Sequence, residues 1–549
     1  MKDKVTFLPL GGCGEFGVNL NLFSHNDEWL MVDFGMGFAG DELPGIDIIL
    51  PDIKFIEERK EKLLGILITH AHEDHIGAIP HLWMRLRAPI YATPFTAQVI
   101  RMKMKEAGLL EQLILYEIPL GGSKKFGPFE VQLINVAHSI PEPNLLVIKT
   151  PVGNIVHTGD WKFDDSPVEG STTNRKTLQN IGKEGVLALI GDSTNAATPG
   201  RSGSEGDLSK SLNKIFLRYP DRRIVVTSFA SNIARLKSVA LAAKAAGRVM
   251  ALAGRSLWRM NEAARKTGYM TDLPPFLSER EATMVGPGEI VIMATGSQGE
   301  PRAAMARMAA GDHPQLDLSP NDVVIFSARA IPGNEKDIAR VQTNLRARSV
   351  NVITDHEEFV HVSGHPAYDD VMDLIQWLKP KVLLPVHGEV YQLQAHAKIG
   401  EALQVPQILI PRDGDVIELT TEGAKVVDEV HHGLLCLDGK KVVPVTDQAI
   451  KSRVKLAELG TVLVSLAIDE DGSLVSDPAI STHGIYDEAG QEAGEMELME
   501  IVIAAIEDLD DRHVMRDESV EQAARIAVRR AVNQSHGRKP VAEVHVHRV

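Results

Sequence analysis

The sequence predicts an α/β protein made of several domains. Its 549 residues exceed what one hydrophobic core usually holds, so we expect about two to four domains. Up to about residue 200, short apolar runs bounded by glycine, proline or charged residues predict strands with a few helices. From about residue 204 to 355, strands and helices alternate, which predicts parallel strands covered by helices.

The apolar pattern along the chain predicts each element in turn. Strands are predicted at residues 63–69, 129–136, 145–149 and 186–190, with a helix at 76–87. Further on, strands at 224–229, 289–295 and 323–328 precede helices at 234–246, 301–310 and 334–347. Strands at 382–386 and 407–410 and a helix at 368–378 follow. After about residue 455, a strand, helices at 495–509 and near 520–532 and a closing strand predict a small separate α/β domain.

Composition narrows the class of protein. No stretch is apolar enough to cross a bilayer, and the N-terminus lacks an apolar signal region, so a cytoplasmic protein without a membrane partner is expected. Cys13 and Cys436 are too few for a disulfide framework or a cysteine-rich zinc site. The net charge of −16 disfavours nucleic-acid binding by bulk electrostatics, although bound divalent ions can reverse the sign locally.

Gly12, Gly14 and Gly17 match the G-x-G-x-x-G pattern of dinucleotide-binding sites. Such a site needs a helix to begin directly after the glycines, so that its N-terminus meets the pyrophosphate. The residues that follow instead alternate between apolar and polar, which predicts a β-hairpin. We therefore expect these glycines to serve tight backbone packing.

The segment His70-Ala71-His72-Glu73-Asp74-His75 directly follows a predicted strand. Imidazoles and carboxylates are good ligands for zinc and similar divalent ions, so this segment predicts a metal site, with a solvated polar turn as the alternative. His138, Asp160 and His387 also follow predicted strands, and Asp160 could bridge two ions. Two adjacent ions would activate water for hydrolysis.

These motifs resemble the metallo-β-lactamase superfamily. The resemblance implies an αββα sandwich in which His70, His72 and His138 hold one zinc, with manganese as an alternative metal. Asp74, His75 and His387 would hold the other, and Asp160 would bridge the two. The superfamily hydrolyses several kinds of substrate, so the fold alone does not identify the reaction.

A long insertion narrows the range of possible substrates. The helix-rich block between Asp160 and His387 resembles the β-CASP domain of nucleases, and Asp192, the run His361-Val362-Ser363-Gly364-His365 and His387 match its motifs. We predict His365 as the general acid that protonates the leaving 3′-oxygen and Asp192 as its orienting partner. A buried Asp–His pair without a catalytic role is the alternative. Together with Asp74, these form the predicted catalytic set.

The longer motifs, among them GGCGEFGVN, TGDWKFD, SFASNI and ATGSQGEP, resemble the ribonuclease J family. The predicted organisation is a metallo-β-lactamase domain at residues 1–203 and 359–447, with a β-CASP domain at 204–358 inserted into it. A linker at 448–460 and a small C-terminal α/β domain of the oligomerisation type at 461–549 complete the chain.

The resemblance implies 5′→3′ exonuclease action on single-stranded RNA with a 5′-monophosphate, with some endonuclease activity, in RNA decay and in rRNA and mRNA processing. Helix N-termini favour anions, so Ala230, Ser231 and Asn232 could bind the 5′-phosphate, and a simple helix cap is the alternative. The segment from His361 to His365 would complete this phosphate cradle. Nearby basic residues such as Arg235 could follow the RNA backbone.

Further expectations from the family are a structural calcium ion near Asp47 and Asp438, with simple surface turns as the alternative, a homodimer or higher homo-oligomer, and membership of an RNA-degradation assembly. Two rival functions differ in class. One is another hydrolase or an oxygen-reducing enzyme of the same superfamily, which the long insertion disfavours. The other is a non-catalytic RNA-binding scaffold, which the intact set of ligands disfavours.

Overall fold

The computed structural model describes residues 3–331 and 333–549. The strands are β1 Val5–Gly11, β2 Cys13–Gly14, β3 Leu20–His25, β4 Glu28–Val32, β5 Gly37–Phe38, β6 Ile48–Pro51, β7 Leu63–Leu67, β8 Ile90–Ala92, β9 Leu115–Glu117, β10 Ser123–Phe126, β11 Phe129–Asn135, β12 Asn144–Thr150, β13 Gly153–His157, β14 Val186–Asp192, β15 Ile224–Thr227, β16 Val249–Ala253, β17 Ile290–Ala294, β18 Val323–Phe326, β19 Asn351–Ile353, β20 Val382–Val386, β21 Gly388–Glu389, β22 Gln407–Ile408, β23 Asp415–Thr420, β24 Gly423–Glu429, β25 Leu434–Asp438, β26 Lys441–Pro444, β27 Thr461–Ile468, β28 Ala479–His483 and β29 Val541–Arg548.

The helices are α1 Lys54–Glu57, α2 Glu73–Ile76, α3 Ile79–Leu86, α4 Pro94–Glu106, α5 Arg175–Glu184, α6 Glu205–Leu217, α7 Ile233–Ala245, α8 Arg255–Lys266, α9 Glu279–Ala282, α10 Ala304–Ala310, α11 Glu335–Ala347, α12 Tyr368–Leu378, α13 Val390–Ala402, α14 Gln448–Leu459, α15 Gln491–Glu507, α16 Asp511–Val514 and α17 Asp517–His536. Within residues 3–331 and 333–549, every helix is too short or too polar to cross a membrane.

Two large sheets form a sandwich. One has the strand order β24-β23-β1-β3-β4-β7-β8-β9 and the other β10-β11-β12-β13-β14-β20-β22. A shared core lies between them, because Phe7, Leu67, Val131 and Leu384, which come from both sheets, belong to one buried apolar cluster. A second cluster joins the other face of the second sheet to helices α5, α12 and α13. Helix α4 packs against β8 and β9 of the first sheet and α3 packs against α4, which completes the predicted αββα order.

Strand direction places the functional loops together. Strands β13, β14 and β20 are parallel neighbours, and β11 runs the same way because two antiparallel pairings separate it from β13. The carboxyl ends of parallel strands meet at one edge of a sheet. His138, Asp160, Asp192 and His387 all lie at or just beyond such ends, so the topology collects them at this edge.

The alternating region forms a parallel sheet of its own, in the order β16-β17-β15-β18-β19. Its core includes Val225, Ile292, Val324 and Met305 beneath the covering helices. The predicted strand–helix alternation is confirmed. The connection after β15 leads to one side of the sheet, and the connection after β18 leads to the other side. The loops after β15 and β18 therefore lie at the topological switch point, where α/β sheets commonly bind ligands.

The chain divides into two compact units, one of residues 3–38 and 48–435 and one of residues 39–47 and 436–549. In the second unit, β27 pairs with β28 antiparallel and with β29 parallel. Val464, Leu498 and Val528 belong to the core that this sheet shares with α15 and α17. The residues predicted as a linker, 448–460, form helix α14 and its terminal Gly460.

Two local predictions have clear outcomes. The hairpin prediction after the glycines is confirmed, since β3 and β4 pair antiparallel. A Cβ on Gly17 would lie 3.0 Å from the Cα of Gly37, so close backbone packing requires glycine there. The helix predicted at 76–87 is confirmed for residues 79–86, which form α3. Its predicted start is wrong, because Ile76 ends the separate helix α2 and Gly77 and Ala78 form a break.

Candidate metal centre

The first predicted ligand set converges on one point. Nε2 of His70 and Nε2 of His138 each lie 3.0 Å from Nδ1 of His72. Oδ2 of Asp160 lies 3.6 Å from the His70 nitrogen and 3.8 Å from the His138 nitrogen. Ligands at zinc distances of about 2.1 Å stand about 3.4 Å apart in a tetrahedron. The spacing of these four atoms therefore fits a single zinc-sized ion.

The second set is built in the same way around Asp160. Nε2 of His75 lies 3.3 Å from both Oδ2 of Asp74 and Oδ1 of Asp160. Nε2 of His387 lies 3.5 Å from Oδ1 of Asp160 and 3.7 Å from Oδ2 of Asp74. The structure thus brings all seven predicted ligands into two adjoining clusters.

Asp160 faces both clusters with different oxygens. Its Oδ2 points to the first set and its Oδ1 to the second. Oδ1 is buried and has no hydrogen-bond donor within the described part of the chain. A buried carboxylate oxygen without a partner is costly unless a cation lies beside it. The geometry therefore suits a carboxylate that bridges two ions.

The ligands are held in position by groups from other strands. Nδ1–H of His75 donates to Oδ2 of Asp33 at 2.7 Å, and Nδ1–H of His387 donates to Oδ1 of Asn19 at 2.9 Å. Nδ1–H of His138 donates to the carbonyl of Gly364 at 2.6 Å. These bonds leave each Nε2 free for a metal. Gly364 has to be glycine, because a Cβ there would lie 2.8 Å from the His138 ring.

Asp33 and Asn19 were missed by the sequence reasoning. Asp33 directly follows β4 in the segment MVDFG, so the strand-end rule that identified Asp160 could have found it. Asn19 lies in the glycine-rich turn, where its role depends on long-range contacts with His387 and with the Asp74 carbonyl, 3.0 Å from its Nδ2. No local signal distinguishes it.

The electrostatics of the cluster also favour cations. Burial lowers the pKa of His72 to about 4 and lowers the pKa of His70 and His138, so these imidazoles are neutral and keep a lone pair for a metal. Burial alone would lower the pKa of His75, but the carboxylates of Asp160, Asp74 and Asp33 outweigh it and raise that pKa. A divalent cation would neutralise the same negative charge.

His365 and Asp192 form the pair that the sequence predicted. Nδ1 of His365 lies 2.9 Å from Oδ2 of Asp192, and its ring lies against the rings of His138 and His387. Thr194 fixes the carboxylate by donating from N and Oγ1 to Oδ1 of Asp192, at 2.9 and 2.7 Å. Burial opposes protonation of His365, but Asp192 and Asp160 raise its pKa to about 9. The ring can therefore hold a proton beside both metal sites.

The predicted phosphate-binding residues lie in two segments that border the metal ligands. Residues 230–232 precede α7, and the N–H of Ala234 donates to the carbonyl of Ser139 at 3.5 Å, next to His138. The segment 361–364 reaches the same histidine through the Gly364 carbonyl. Ala230 and Ser231 are half-buried and Asn232 is buried.

Most polar groups of these segments already have partners. Oδ1 of Asn232 accepts from the N–H of Arg235 at 2.8 Å, so Asn232 caps α7 as the alternative predicted. Oγ of Ser363 accepts from Nδ2 of Asn195 at 2.6 Å. Nδ1 of His361 is buried without a partner among the described residues, and burial together with Arg235 and Arg329 lowers its pKa.

Two further predictions concern charged residues outside the cluster. Arg235 cannot follow an RNA backbone, because its side chain is fully buried against Glu205. Among the described residues, Asp438 belongs to no cluster of three or more potential metal ligands. Its carboxylate instead accepts hydrogen bonds from Arg453 at 2.9 and 2.7 Å. Asp47 is exposed and also lies outside those clusters. The calcium site stays a prediction.

Comparison with protein families gives matches along most of the chain. Residues 13–221 match the metallo-β-lactamase superfamily and residues 221–345 the ribonuclease J β-CASP domain. Residues 349–408 match the Zn-dependent metallo-hydrolase RNA specificity domain, and residues 448–549 the ribonuclease J C-terminal domain.

Several curated proteins are similar over most of their length. Ribonuclease J of Sinorhizobium meliloti is 41% identical, covering 100% of this chain and 98% of that protein. Ribonuclease J of Thermus thermophilus is 36% identical, covering 86% and 83%, and ribonuclease J2 of Bacillus subtilis is 33% identical, covering 98% of both. A crystal structure of a protein of unknown function from Enterococcus faecalis shares the fold, with a TM-score of 0.53 at 17% identity over 76% of this chain and 100% of the other.

Proposed function

The chain belongs to the ribonuclease J family of metal-dependent ribonucleases, and from that premise we propose its specific reaction. It removes nucleotides from single-stranded RNA in the 5′→3′ direction, prefers a 5′-monophosphate and also cuts RNA internally. Its cellular role is RNA decay and the processing of rRNA and mRNA. The observation that carries the proposal is the joint position of the metal cluster, the His365–Asp192 pair and the two cradle segments around His138.

The metal cluster would hold two zinc ions, or manganese, through the two ligand sets described above. When bound, such ions activate water and neutralise charge on the scissile phosphate. Asp74 and Asp160 supply negative charge, and His70, His72 and His138 supply neutral nitrogens. The protein contributes a fixed arrangement of these donors, because Asp33, Asn19 and Gly364 hold the imidazole rings in place.

His365 supplies the proton for the leaving group. Breaking the phosphodiester bond releases a 3′-oxygen that needs a proton at neutral pH. Asp192 holds Nδ1 of His365 at 2.9 Å, which leaves Nε2 as the nitrogen that faces the reacting bond. The neighbouring carboxylates keep the ring protonated, so it can donate.

The cradle would bind the 5′-phosphate of the RNA. The N-terminus of α7 follows β15 at the switch point of the parallel sheet, where backbone N–H groups favour an anion. His361 brings an unpaired Nδ1 to the same region. Binding of the terminal phosphate close to the metal site would place only the first phosphodiester bond of the RNA at the ions. Cleavage would therefore proceed from the 5′ end.

One experiment tests this proposal. Single-stranded RNAs of the same sequence carry a 5′-monophosphate, a 5′-triphosphate or a 5′-hydroxyl, and the products are resolved with Asp160→Ala as the inactive control. We expect mononucleotides, released fastest from the monophosphate. Equal cleavage of matched DNA, or no release of nucleotides by the zinc-loaded protein, would contradict the proposal.

The same family premise suggests a homodimer or higher oligomer and membership of an RNA-degradation assembly. The second unit supplies the candidate contact surface, because its core is independent of the metal-binding unit. Sedimentation of the full chain would give the oligomeric state. A monomer at micromolar concentration would contradict this part alone.

A further inference from the structure

Arg235 is a buried cation that belongs to neither the metal cluster nor the phosphate cradle. All five of its guanidinium N–H groups have acceptors. Nε and Nη2 donate to the Glu205 carboxylate at 3.1 and 2.8 Å, and Nη1 donates to the carbonyl and the Oγ of Ser327. Nη2 also donates to the carbonyl of Val362 at 3.2 Å. One side chain therefore ties together three segments that are distant in sequence.

Both halves of the phosphate cradle are bonded to Arg235, one to its backbone N–H and the other to its guanidinium. The backbone N–H of Arg235 donates to Oδ1 of Asn232, which fixes residues 230–232 at the start of α7. Val362 lies between His361 and Ser363, so the bond to its carbonyl fixes the other segment. Oγ of Ser327 adds a bond to the carbonyl of Val360 at 2.6 Å.

A chain of buried charges continues from Glu205 to the metal ligands. Its backbone N–H donates to Oδ2 of Asp164 at 3.0 Å, and Asp164 pairs with Nζ of Lys162 at 3.3 Å. The backbone N–H of Lys162 donates to the carbonyl of Ala137 at 2.7 Å, one residue before His138. The chain of contacts thus spans from the cradle to the metal site.

Stability alone does not explain such a pair. Burying an arginine and a glutamate costs desolvation energy that their attraction repays only in part, and apolar replacements are often as stable. A planar guanidinium does provide a fork of donors with fixed directions. This property suits a group that has to keep several segments at set distances.

We propose that Arg235 is a positioning residue that sets the distance between the 5′-phosphate cradle and the metal ligands, and so creates the preference for 5′-monophosphorylated RNA. The proposal rests on the function proposed above and adds the residue that controls its specificity. Arg235 contacts no RNA in this scheme. Its guanidinium acts through the Val362 carbonyl, while its backbone N–H holds the Asn232 cap.

The test variant keeps the positive charge at position 235 but removes the planar guanidinium and its fixed set of donors. In Arg235→Lys the ammonium can still pair with Glu205, but it cannot reach Ser327 and Val362 at the same time. The full-length zinc-loaded protein is assayed for kcat and KM on matched RNAs with a 5′-monophosphate or a 5′-hydroxyl. We expect the ratio of kcat/KM for the monophosphate RNA to kcat/KM for the hydroxyl RNA to fall about tenfold or more. The fall should come mainly from a lower kcat/KM on the monophosphate RNA, because small displacements of a bound group reduce rates by factors of this size.

Arg248→Lys is the matched control. Arg248 is also buried in the β-CASP region and donates to the carbonyls of Arg222 and Pro220 at 2.7 and 3.2 Å. It precedes β16, at the amino end of the parallel sheet and therefore at the edge opposite the cradle. This variant should keep the monophosphate ratio of the unmodified protein even if its stability falls.

Ser327→Ala covers the case in which Arg235→Lys does not fold. It removes one acceptor and the bond to Val360 while leaving the Arg235–Glu205 pair intact, and we expect a loss of about threefold in the ratio. An unchanged ratio in Arg235→Lys, or an equal loss in Arg248→Lys, would overturn the role of Arg235. If Arg235→Lys is unfolded, an unchanged ratio in Ser327→Ala overturns it. A wild-type protein that cuts both RNAs equally would instead refute the proposed function itself.

Discussion

The metal cluster and the phosphate cradle are built in opposite ways. In the metal cluster, side-chain nitrogens and oxygens point at one another and keep their lone pairs unshared, while separate groups such as Asp33 hold the rings. In the cradle, the side chains of Asn232 and Ser363 are already bonded within the protein. The cradle therefore has to rely on backbone N–H groups, on His361 and on the segment positions that Arg235 fixes.

This difference suggests how each region responds to change. A cluster of mutually facing donors works only as a complete set, so losing one donor should affect metal binding or chemistry by orders of magnitude. A cradle built from backbone groups keeps most of its contacts when one side chain is removed. Variants of the cradle should therefore change the preference for 5′-monophosphorylated RNA more than the rate of RNA cleavage. The predictions below test that contrast, beginning with the largest effect.

His365→Ala should reduce kcat by about 10²–10⁴-fold while the protein keeps its metal, because the variant removes the proton donor and none of the seven ligands. Asp192→Asn should give a smaller loss, since the imidazole remains but loses the carboxylate at 2.9 Å. Rates on RNA and zinc content are measured side by side.

A substrate with a better leaving group distinguishes the acid role from a structural role. A thymidine p-nitrophenyl phosphodiester releases p-nitrophenolate, which needs no proton. His365→Ala should therefore lose much less activity on this ester than on RNA. Equal losses on both substrates would argue against His365 as the acid and favour the alternative of a purely structural Asp–His pair.

Asp33→Asn should weaken binding of the second metal by about 10–100-fold, because the variant removes the negative partner that orients His75. Asp33 accepts from Nδ1 of His75 at 2.7 Å and touches no substrate. Competition with a chelator gives the affinity. Asp52→Asn is the control, since Asp52 pairs with the exposed ring of His431 at 3.0 Å and belongs to neither ligand cluster. Equal metal affinity in the two variants would contradict the prediction.

The metal ligands could be predicted from the sequence because each follows an apolar strand, and strand topology brings such positions together. Asp33 obeys the same rule and was still missed, since a single aspartate after a strand lacks the histidine signal. The need for glycine at position 77 depends on a contact that the local pattern does not contain. A Cβ at Gly77 would lie 2.3 Å from Cγ of Met36.

Charged residues of the β-CASP region were harder to predict. Arg235 was one of several basic residues that could follow the RNA backbone, since arginine is mostly exposed. Its burial depends on Glu205, Ser327 and Val362, and no spacing in the sequence connects these residues. The chemistry of a site is thus encoded in local motifs, whereas the distances between its parts depend on the packed structure.

His361→Ala should lower the preference for 5′-monophosphate over 5′-hydroxyl RNA by about tenfold, which is the range of one charge-assisted hydrogen bond. Its buried Nδ1 has no partner in the described chain, so it is the atom of this side chain that is free for the phosphate. Rates on the 5′-hydroxyl RNA should change much less. A uniform loss on both RNAs would place His361 with the metal cluster in this comparison and not with the cradle.

Asn232 should give the smallest effect, and two variants separate its two roles. Asn232→Ala removes the cap of α7, whose Oδ1 accepts from the Arg235 N–H at 2.8 Å, and should lower the free energy of unfolding of this region by about 1 kcal/mol. Asn232→Asp keeps a capping oxygen but adds a negative charge where the 5′-phosphate is proposed to bind. It should therefore preserve thermal stability and weaken binding of the monophosphate RNA. If Asn232→Asp raises KM no more for the monophosphate than for the 5′-hydroxyl RNA, Asn232 is only a cap, and the cradle lies elsewhere on the rim of the metal site.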